Sequence, residues 1–433
     1  MDRDTETTTT IDTVVVGGGL AGLVAAITSA RQGRRTVLFE PHPVGGRARC
    51  DNRNGYILNR GPRALYLGGA ARPILHALGV DTTAGGTPAV LGAQGRLDGR
   101  LHLLPQGPWS LLRTSLLRPA EKPRFARLLA TLPRLDPTAL AGRSFGAYLA
   151  DQRLSPTAAD VVRMVARVAT YAADPDEVDA GAVVANVQLA LGDGVRYLDG
   201  GFQALVDGLA AAAAAAGVEV RTTRVESVQP AGTGAPASVS TADGGVVHAG
   251  TVVVAAGSPA SAEGLLGTPI SGADGLTGPI TAACLELGLR RPGRHQVYGI
   301  GEPLYCSTHC PPAQLAPPGH SVVHLMRNHG HDESLEPAEQ RAWLHDAAAQ
   351  AGVDADDVVE QRFLAEMVVS GGLPTAEGGG LAGRPPVIDP NRPGVVLAGD
   401  WVGPVGLLCD AAVASGRAAG LAATSRPASV AVP

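Results

Sequence analysis

The stretch Ile11-Asp-Thr-Val-Val-Val-Gly17-Gly-Gly19-Leu20-Ala21-Gly22-Leu-Val-Ala-Ala26, followed by Thr36-Val-Leu-Phe-Glu40, decides the fold. A β-branched apolar run reads as a strand, Gly17-x-Gly19-x-x-Gly22 opens an alanine-rich helix, and a second apolar run ends in an acid. That order is the strand, turn, helix and strand of a dinucleotide-binding unit. Gly17 allows the tight turn, and Gly19 lets backbone amides approach a pyrophosphate beside Leu20 and Ala21, the first helical residues. Gly22 lets the helix lie close to the strand. Glu40, 18 residues after Gly22, is placed to accept hydrogen bonds from an adenosine ribose. Its charge repels a 2′-phosphate, which disfavours NADP and leaves FAD or NAD. A glycine turn without a ligand is the bland alternative, and strand, spacing and acid all count against it.

The 433 residues suit two interleaved domains with sizeable cores. Hydrophobic residues make up 45% and charged ones 17%, yet no uninterrupted apolar run reaches the roughly 20 residues a membrane-spanning helix needs. A soluble or membrane-surface protein is expected. Met1-Asp-Arg-Asp-Thr-Glu followed by four threonines lacks the basic start and apolar segment of a secretory signal, so the expected location is cytoplasmic. A net charge of −5 gives no reason to expect a nucleic-acid partner. Five cysteines without a regular framework suit a reducing compartment, with Cys50, Cys284 and Cys409 read as ordinary buried thiols. Cys306-Ser-Thr-His309-Cys310 offers three soft ligands, but two prolines follow and no metal site is expected. Seven of the 11 histidines fall between His295 and His345; scattered surface positions are preferred over a histidine-lined pocket wall.

The fold class read from this pattern is α/β: a Rossmann-like, doubly wound domain, discontinuous in sequence, with an interleaved α+β substrate domain of helices plus a second sheet. The cofactor domain is assigned to 11–85, 195–270 and 385–425. The substrate domain takes 86–194 and 271–384, and 1–10 and 426–433 are read as flexible tails. Trp109 to about Gly192 has helical spacing, with starts such as Ser155-Pro156 and Asp174-Pro175. A helix through Ala210–Ala216 stops at Gly217. Strands are expected at Val218–Arg221, Ala237–Thr241, Thr251–Ala256, Ile280–Leu289, His295–Cys306, His320–Arg327 and Val395–Asp400, with helices near Pro337–Ala351 and Leu407–Ala423. No internal repeat is visible.

Five stretches in order now carry a family resemblance: the N-terminal fingerprint, Val44-Gly45-Gly46-Arg47, Asn59-Arg-Gly61-Pro62, Gly200-Gly201 with its helix and the run to Val225, and Leu397-Ala-Gly399-Asp400. Together they resemble the flavin amine oxidase and phytoene desaturase superfamily, in particular its bacterial branch related to phytoene dehydrogenase. The resemblance covers most of the cofactor domain and implies FAD. Gly45-Gly46 lets the chain pass close to the cofactor, and Arg47 can meet the pyrophosphate with charge-assisted hydrogen bonds or serve as a structural ion pair. By resemblance Gly61-Pro62 lies beside the isoalloxazine, which puts Arg63 and Tyr66 near its reactive face, and Val225 gives the backbone contact to adenine. Asp400, next to Gly399 at a strand end, is placed to accept from a ribityl hydroxyl, or else to cap a turn. A helix opening near Leu407-Leu408 would direct its positive end at the flavin N1–C2 edge.

Amine oxidases of this superfamily typically hold a lysine near flavin N5 through a water, and many build an aromatic cage. This chain has a single lysine, Lys122, in the helical insertion, and aromatics are only 3%. Those absences favour hydride transfer between flavin and a carbon–carbon bond, as desaturation or alkene reduction, on an apolar small-molecule substrate such as a polyene or isoprenoid. The assigned catalytic roles are Tyr66 as proton donor or acceptor, Arg63 as stabiliser of negative charge, and Trp401 as a wall flanking the ring, with pure packing as its alternative. Oxidation of a C–N bond and a redox-neutral isomerase or cyclase remain open, as does a non-catalytic flavin scaffold. Finally, 111–135 carries Arg113, Arg118, Lys122, Arg124, Arg127 and Arg134 against Glu121, six minus one or +5, interleaved with leucines. Such a segment is either a solvated lid or a peripheral membrane contact; Pro119, Pro123 and Pro133 tip the reading toward the lid.

Overall fold

A computed structural model describes residues 11–88, 91–331 and 333–424; the two tails read from the sequence lie outside the described residues. The fingerprint forms strand β1 (Ile11–Val16), helix α1 (Leu20–Ala30) and strand β2 (Thr36–Phe39). β1 is central in a seven-stranded sheet, with β2 and Glu219–Arg221 on one side and the long strand Val246–Val254 on the other. Val395–Leu397 pairs in parallel with the C-terminal half of that long strand, whereas Ala237–Thr241 pairs antiparallel with its N-terminal half. Val14, Val15, Val37, Leu38, Val252 and Val253 are all fully buried, because a parallel sheet covered on both faces leaves its β-branched strands no solvent side. This is the doubly wound α/β architecture expected.

Small residues set how closely the layers approach. A Cβ on Gly22 would lie 1.9 Å from the Gly17 carbonyl oxygen, and one on Gly416 would lie 2.3 Å from that of Ala21. α1 therefore touches the turn behind it and the C-terminal helix Leu408–Thr424 backbone to backbone. Around that contact Leu23, Val24, Ile27, Leu205 and Leu209 form a dry core, each buried aliphatic side chain contributing roughly 1.5–3 kcal/mol.

The second sheet also has seven strands, ordered Val358–Ser370, Ile280–Leu289, Ser321–Asn328, Leu304–Cys310, Gln296–Gly299, Gln94–Leu97, Arg100–Leu103. Along Ile280–Leu289 the pleat sends Ala283, Leu285, Leu287 and Leu289 into a core shared with Leu344, Ala347 and Ala348 of helix Pro337–Gln350. Cys284 and Glu286 take the other face. Three features depart from the sequence reading. The strand expected over His295–Cys306 breaks at Gly301, whose φ is +73°. The edge strand Val358–Ser370 mixes exposed and half-buried positions, exposes Val359 and Val368, and buries only Arg362 and Ser370, so apolar contrast does not mark it. The hairpin Gln94–Leu103 turns on Asp98-Gly99, both at positive φ, a sequence signal for a tight hairpin that the apolar pattern leaves out. Between 108 and 191 the chain is helical, as Pro108–Arg113, Lys122–Thr131, Phe145–Asp151, Pro156–Thr170 and Ala180–Leu191.

Backbone contact at Gly416 makes a specific demand. Gly416→Ala should cost about 1–3 kcal/mol through overpacking, read as a lowered urea midpoint. Gly264→Ala, whose Cβ meets nothing within 4 Å, should be neutral or stabilising by up to about 1 kcal/mol.

Candidate functional site

A cleft of about 300 Å³ opens over the C-terminal ends of the parallel strands, where sheets of this kind place ligands. Gly17 follows β1, Glu40 follows β2, Ala255–Gly257 follow Val254, and Gly399-Asp400 follows Leu397, and all of them line it. Gly19 is the extended N-cap of α1 and no side chain caps it. The first amides of the helix thus face an anion site with its partial positive charge uncovered. The Glu40 carboxylate is held at the rim, accepting from the Gly18 amide at 2.8 Å and from the His42 amide at 3.0 Å. Leu20, Ala21, Gly45 and Gly46 complete this end, and a Cβ on Gly46 would stand 3.3 Å from the Gly19 Cα.

Arg47 and Asp400 meet on the cleft floor. The guanidinium donates to Asp400 Oδ1 at 2.8 Å and to the Val369 carbonyl at 3.3 Å, while the other Asp400 oxygen accepts from the Gly371 amide at 3.2 Å. The two residues read separately as cofactor contacts are therefore each other's ion pair. Arg47 stays 33% exposed and keeps donors for a pyrophosphate; Asp400 is largely committed.

At the far end Pro62, Arg63 and Ala64 face Tyr171, Phe202, Val369, Leu408, Cys409 and Ala412. Arg63 donates Nε to the Asn59 carbonyl at 3.2 Å and its guanidinium lies 5.8 Å from the Phe202 ring centroid. Among the described residues it has no acidic partner, and burial together with Arg47 pushes its pKa below the usual arginine value. A half-buried cation without an anion favours a ligand that brings one.

Tyr171 was not legible in the sequence. It ends helix Pro156–Thr170 in the left-handed region, φ +65°, uncommon for an aromatic side chain. The conformation is held by Asn328 Nδ2, which donates to the Tyr171 carbonyl at 2.6 Å, and by the phenol, which donates to the Pro62 carbonyl at 3.2 Å. Burial pushes its pKa up, so the hydroxyl stays protonated at neutral pH. Phe202, Val369, Cys409 and Ala412 were also unmarked; they reach the cleft through tertiary folding alone.

Two of the three expected catalytic residues stand elsewhere. Tyr66 does not line the cleft: its hydroxyl donates to the Ala169 carbonyl at 3.2 Å and accepts from Asn186 at 3.2 Å, behind the cleft wall. Trp401 is 0% exposed; its Nε1 donates to the Ala256 carbonyl at 3.3 Å, and Gly371 and Gly399 make room for its ring. It packs beneath the sheet edge rather than flanking a ligand. Gly61 supports Pro62 from behind by donating its amide to Glu286, Leu407 is buried on the far side of the C-terminal helix, and Val225 opens the strand Val225–Gln229 outside the cleft lining. The soft ligands of 306–310 do not converge: Cys306 joins the core under helix Pro337–Gln350 while His309 stacks on Tyr197 across the sheet. Cys284, Glu286 and His324 do converge, but Arg362 already pairs with Glu286.

The cleft fits a flavin dinucleotide, with a helix N-terminus free of side-chain caps, a fixed acid at the ribose end, and an uncompensated cation at the other. The chain belongs to the family described as flavin containing amine oxidoreductase, whose model matches residues 20–420, and FAD is its cofactor. Solved structures share the fold at low identity. An oxidoreductase from Methanosarcina mazei is 17% identical with a TM-score of 0.73, covering 94% of this chain and 99% of its own. A putative protoporphyrinogen oxidase from Exiguobacterium is 19% identical at 0.69, covering 96% and 99%. Cyclohexylamine oxidase from Brevibacterium oxydans is 15% identical at 0.70, covering 96% and 98%. A Methanothermococcus thermolithotrophicus protein, described as uncharacterized, is 38% identical over 54 residues, 12% of this chain. The match spans about half of that protein, 53% of its length.

Glu40→Ala removes the acceptor at the ribose end and frees two amides. It should weaken FAD retention about 10–100-fold, the loss of one or two charge-assisted hydrogen bonds, measured by titrating the apoprotein with FAD and following flavin fluorescence.

Proposed function

We propose that this member of the family oxidises or reduces a carbon–carbon bond of a largely apolar metabolite, polyene or isoprenoid in character, rather than a C–N bond. The observation that carries the reading is the position of the only lysine. Lys122 donates Nζ to the Leu112 carbonyl at 2.7 Å and to that of Thr114 at 3.1 Å, tying together two helices of the insertion away from the cleft lining. The reactive end of the cleft is walled by Pro62, Ala64, Phe202 and Val369, a surface suited to hydrocarbon.

Bound FAD supplies the two-electron chemistry; the protein binds, orients and controls charge. Arg63 is placed to stabilise negative charge that develops in the cleft, aided by the N-terminus of helix Leu408–Thr424. Tyr171 replaces Tyr66 as the hydroxyl at the reactive end. Its donation to the Pro62 carbonyl keeps the phenol oriented, so it works as a neutral hydrogen-bonding wall.

The fold is shared with proteins described as amine oxidases and as a putative protoporphyrinogen oxidase, so it accommodates more than one bond type. Anaerobic photoreduction of the purified protein followed by readmission of air separates the readings. Slow return of the flavin bands, over minutes, with Lys122→Gln unchanged, is the expected result. Return within seconds, or altered reoxidation in Lys122→Gln, would overturn it.

A separate observation supports a membrane-facing role for 111–135. Trp109 and Leu112 are 78% and 67% exposed and lie three residues apart on helix Pro108–Arg113, hence on one face. Arg113, Arg118, Arg124, Arg127 and Arg134 of the same segment are exposed as well. Exposed aromatic and leucine side chains in a segment rich in exposed basic residues suit an anionic lipid surface. Trp109→Ser with Leu112→Ser should release the protein from phosphatidylglycerol vesicles in co-sedimentation, and raising the salt should do so too. Sedimentation that neither change affects would leave the segment a solvated lid.

A further inference from the structure

The connection between strand Val395–Leu397 and the C-terminal helix Leu408–Thr424 touches the cofactor cleft at both of its ends. It leaves the strand through Gly399 and Asp400, which line the cleft, and returns at Leu408, Cys409 and Ala412 in the first turns of the helix. In between, the chain forms neither helix nor strand and follows a constrained path. Gly403 and Gly406 have φ of +76° and +63°, and Leu408 has φ +54°, a conformation uncommon for a bulky side chain. Such a backbone persists only where its surroundings hold it.

One buried side chain grips this path. Arg384 is 3% exposed. Its guanidinium donates Nη1 to the Asp400 carbonyl at 3.2 Å, and Nη2 to the carbonyls of Val405 at 3.3 Å and Gly406 at 3.0 Å. The planar fork therefore ties the start of the connection to its end. Local sequence sets its position. The carbonyl of the next residue, Pro385, accepts from the Gly403 amide at 2.9 Å, so the two segments run side by side. A Cβ on Gly383 would fall 1.6 Å from the Gly378 carbonyl oxygen, which fixes the turn that leads into Arg384.

A charge at this place is costly. Nε has no hydrogen-bond partner, and among the described residues the guanidinium donates to carbonyls and to no carboxylate. Burial lowers its pKa to about 10 against the pull of Asp400, so the group stays charged near pH 7. Asp400 is itself paired with Arg47. A cation next to a helix N-terminus is also opposed by the helix dipole. Holding carbonyls requires donors and no net charge. The charge adds a positive field where the helix start meets the cleft, and an anionic ligand there offsets its cost.

We propose that Arg384 is a positioning residue for bound FAD, which sets the N-terminus of the last helix against the cleft and, together with that N-terminus, favours the more negative, reduced form of the cofactor. Arg384 does not line the cleft; it acts through Asp400, Leu408 and Cys409. The inference rests on FAD as the cofactor and is independent of the bond on which FAD acts.

The test compares the FAD-loaded full chain with two variants. Arg384→Met keeps the length and loses both charge and fork, whereas Arg384→Lys keeps the charge and loses the fork. The midpoint potential of the bound flavin is read by anaerobic equilibration with a reference dye, and amide hydrogen exchange by mass spectrometry. Arg384→Met should bind reduced FAD about tenfold more weakly relative to oxidised FAD, a potential lower by about 30 mV for a two-electron couple. Arg384→Lys should lose about threefold by the same measure, about 15 mV. In both, peptides covering 398–410 should exchange faster while those of α1 are unchanged. A residue that only supports the fold would weaken both redox forms of FAD alike. A potential unchanged in the variants therefore overturns the proposal, as does a lowered potential without faster exchange over 398–410, or with faster exchange that extends to α1. Should Arg384→Met fail to fold, Arg384→Lys decides by the same two readings.

Discussion

Close backbone contact between α1 and the turn that precedes it is the constraint on which the structure depends. Because Gly22 abuts the Gly17 carbonyl, the helix starts directly above the strand ends with no side chain at its N-cap. Its first amides are then exposed to the cleft, and their partial charge selects an anionic ligand. The same small-residue logic brings the C-terminal helix against α1 at Gly416 and Gly420, which fixes where that helix begins. Two helix N-termini are thus aimed at one cleft from opposite ends of the chain, and Glu40, Arg47 and Asp400 are arranged around them.

Charge is uneven around the first turn of the last helix. Toward the cleft stands Arg63, a cation with no acidic partner among the described residues. On the other side Asp410, in the helix's own first turn, accepts from the Ala71 amide, and burial raises its carboxyl to about 6. Arg63 and the positive end of the helix both favour negative charge that develops in the cleft.

The dinucleotide half was legible because each of its devices is local. Gly17, Gly19, Gly22 and Glu40 lie within one strand-turn-helix-strand unit, and their spacing states their roles without reference to the rest of the chain. Gly45, Gly46, Arg47, Gly399 and Asp400 were legible as motifs, although the sequence could not say that Arg47 and Asp400 pair across 353 positions. The reactive end was not legible. Tyr66 and Trp401 sit beside true cleft residues in sequence, but a strand or turn sends neighbouring side chains to opposite sides, and both point into packing. Tyr171 is recruited by a helix end in a left-handed conformation, set by Asn328 from another sheet. No periodicity in 156–171 records that.

The second sheet contributes Val369 to the cleft wall and also positions the loop Arg60–Arg63 from behind. Glu286, 0% exposed, accepts from the Gly61 amide at 3.1 Å and pairs with Arg362, which in turn pairs with Asp51 beside Arg60. Burial opposes ionisation of Glu286, yet His324, Arg362 and the Gly61 amide together hold its pKa below the usual range. The charged pair therefore anchors the segment Arg60–Arg63 to the substrate sheet from behind. Gly61 has φ +101° and packs against Met367, so the loop has little freedom once that anchor is set. The position of Arg63 over the cleft thus follows from an ion pair one layer away. A change in the substrate sheet at Glu286 or Arg362 reaches the cofactor through this loop, without any residue of that pair entering the cleft.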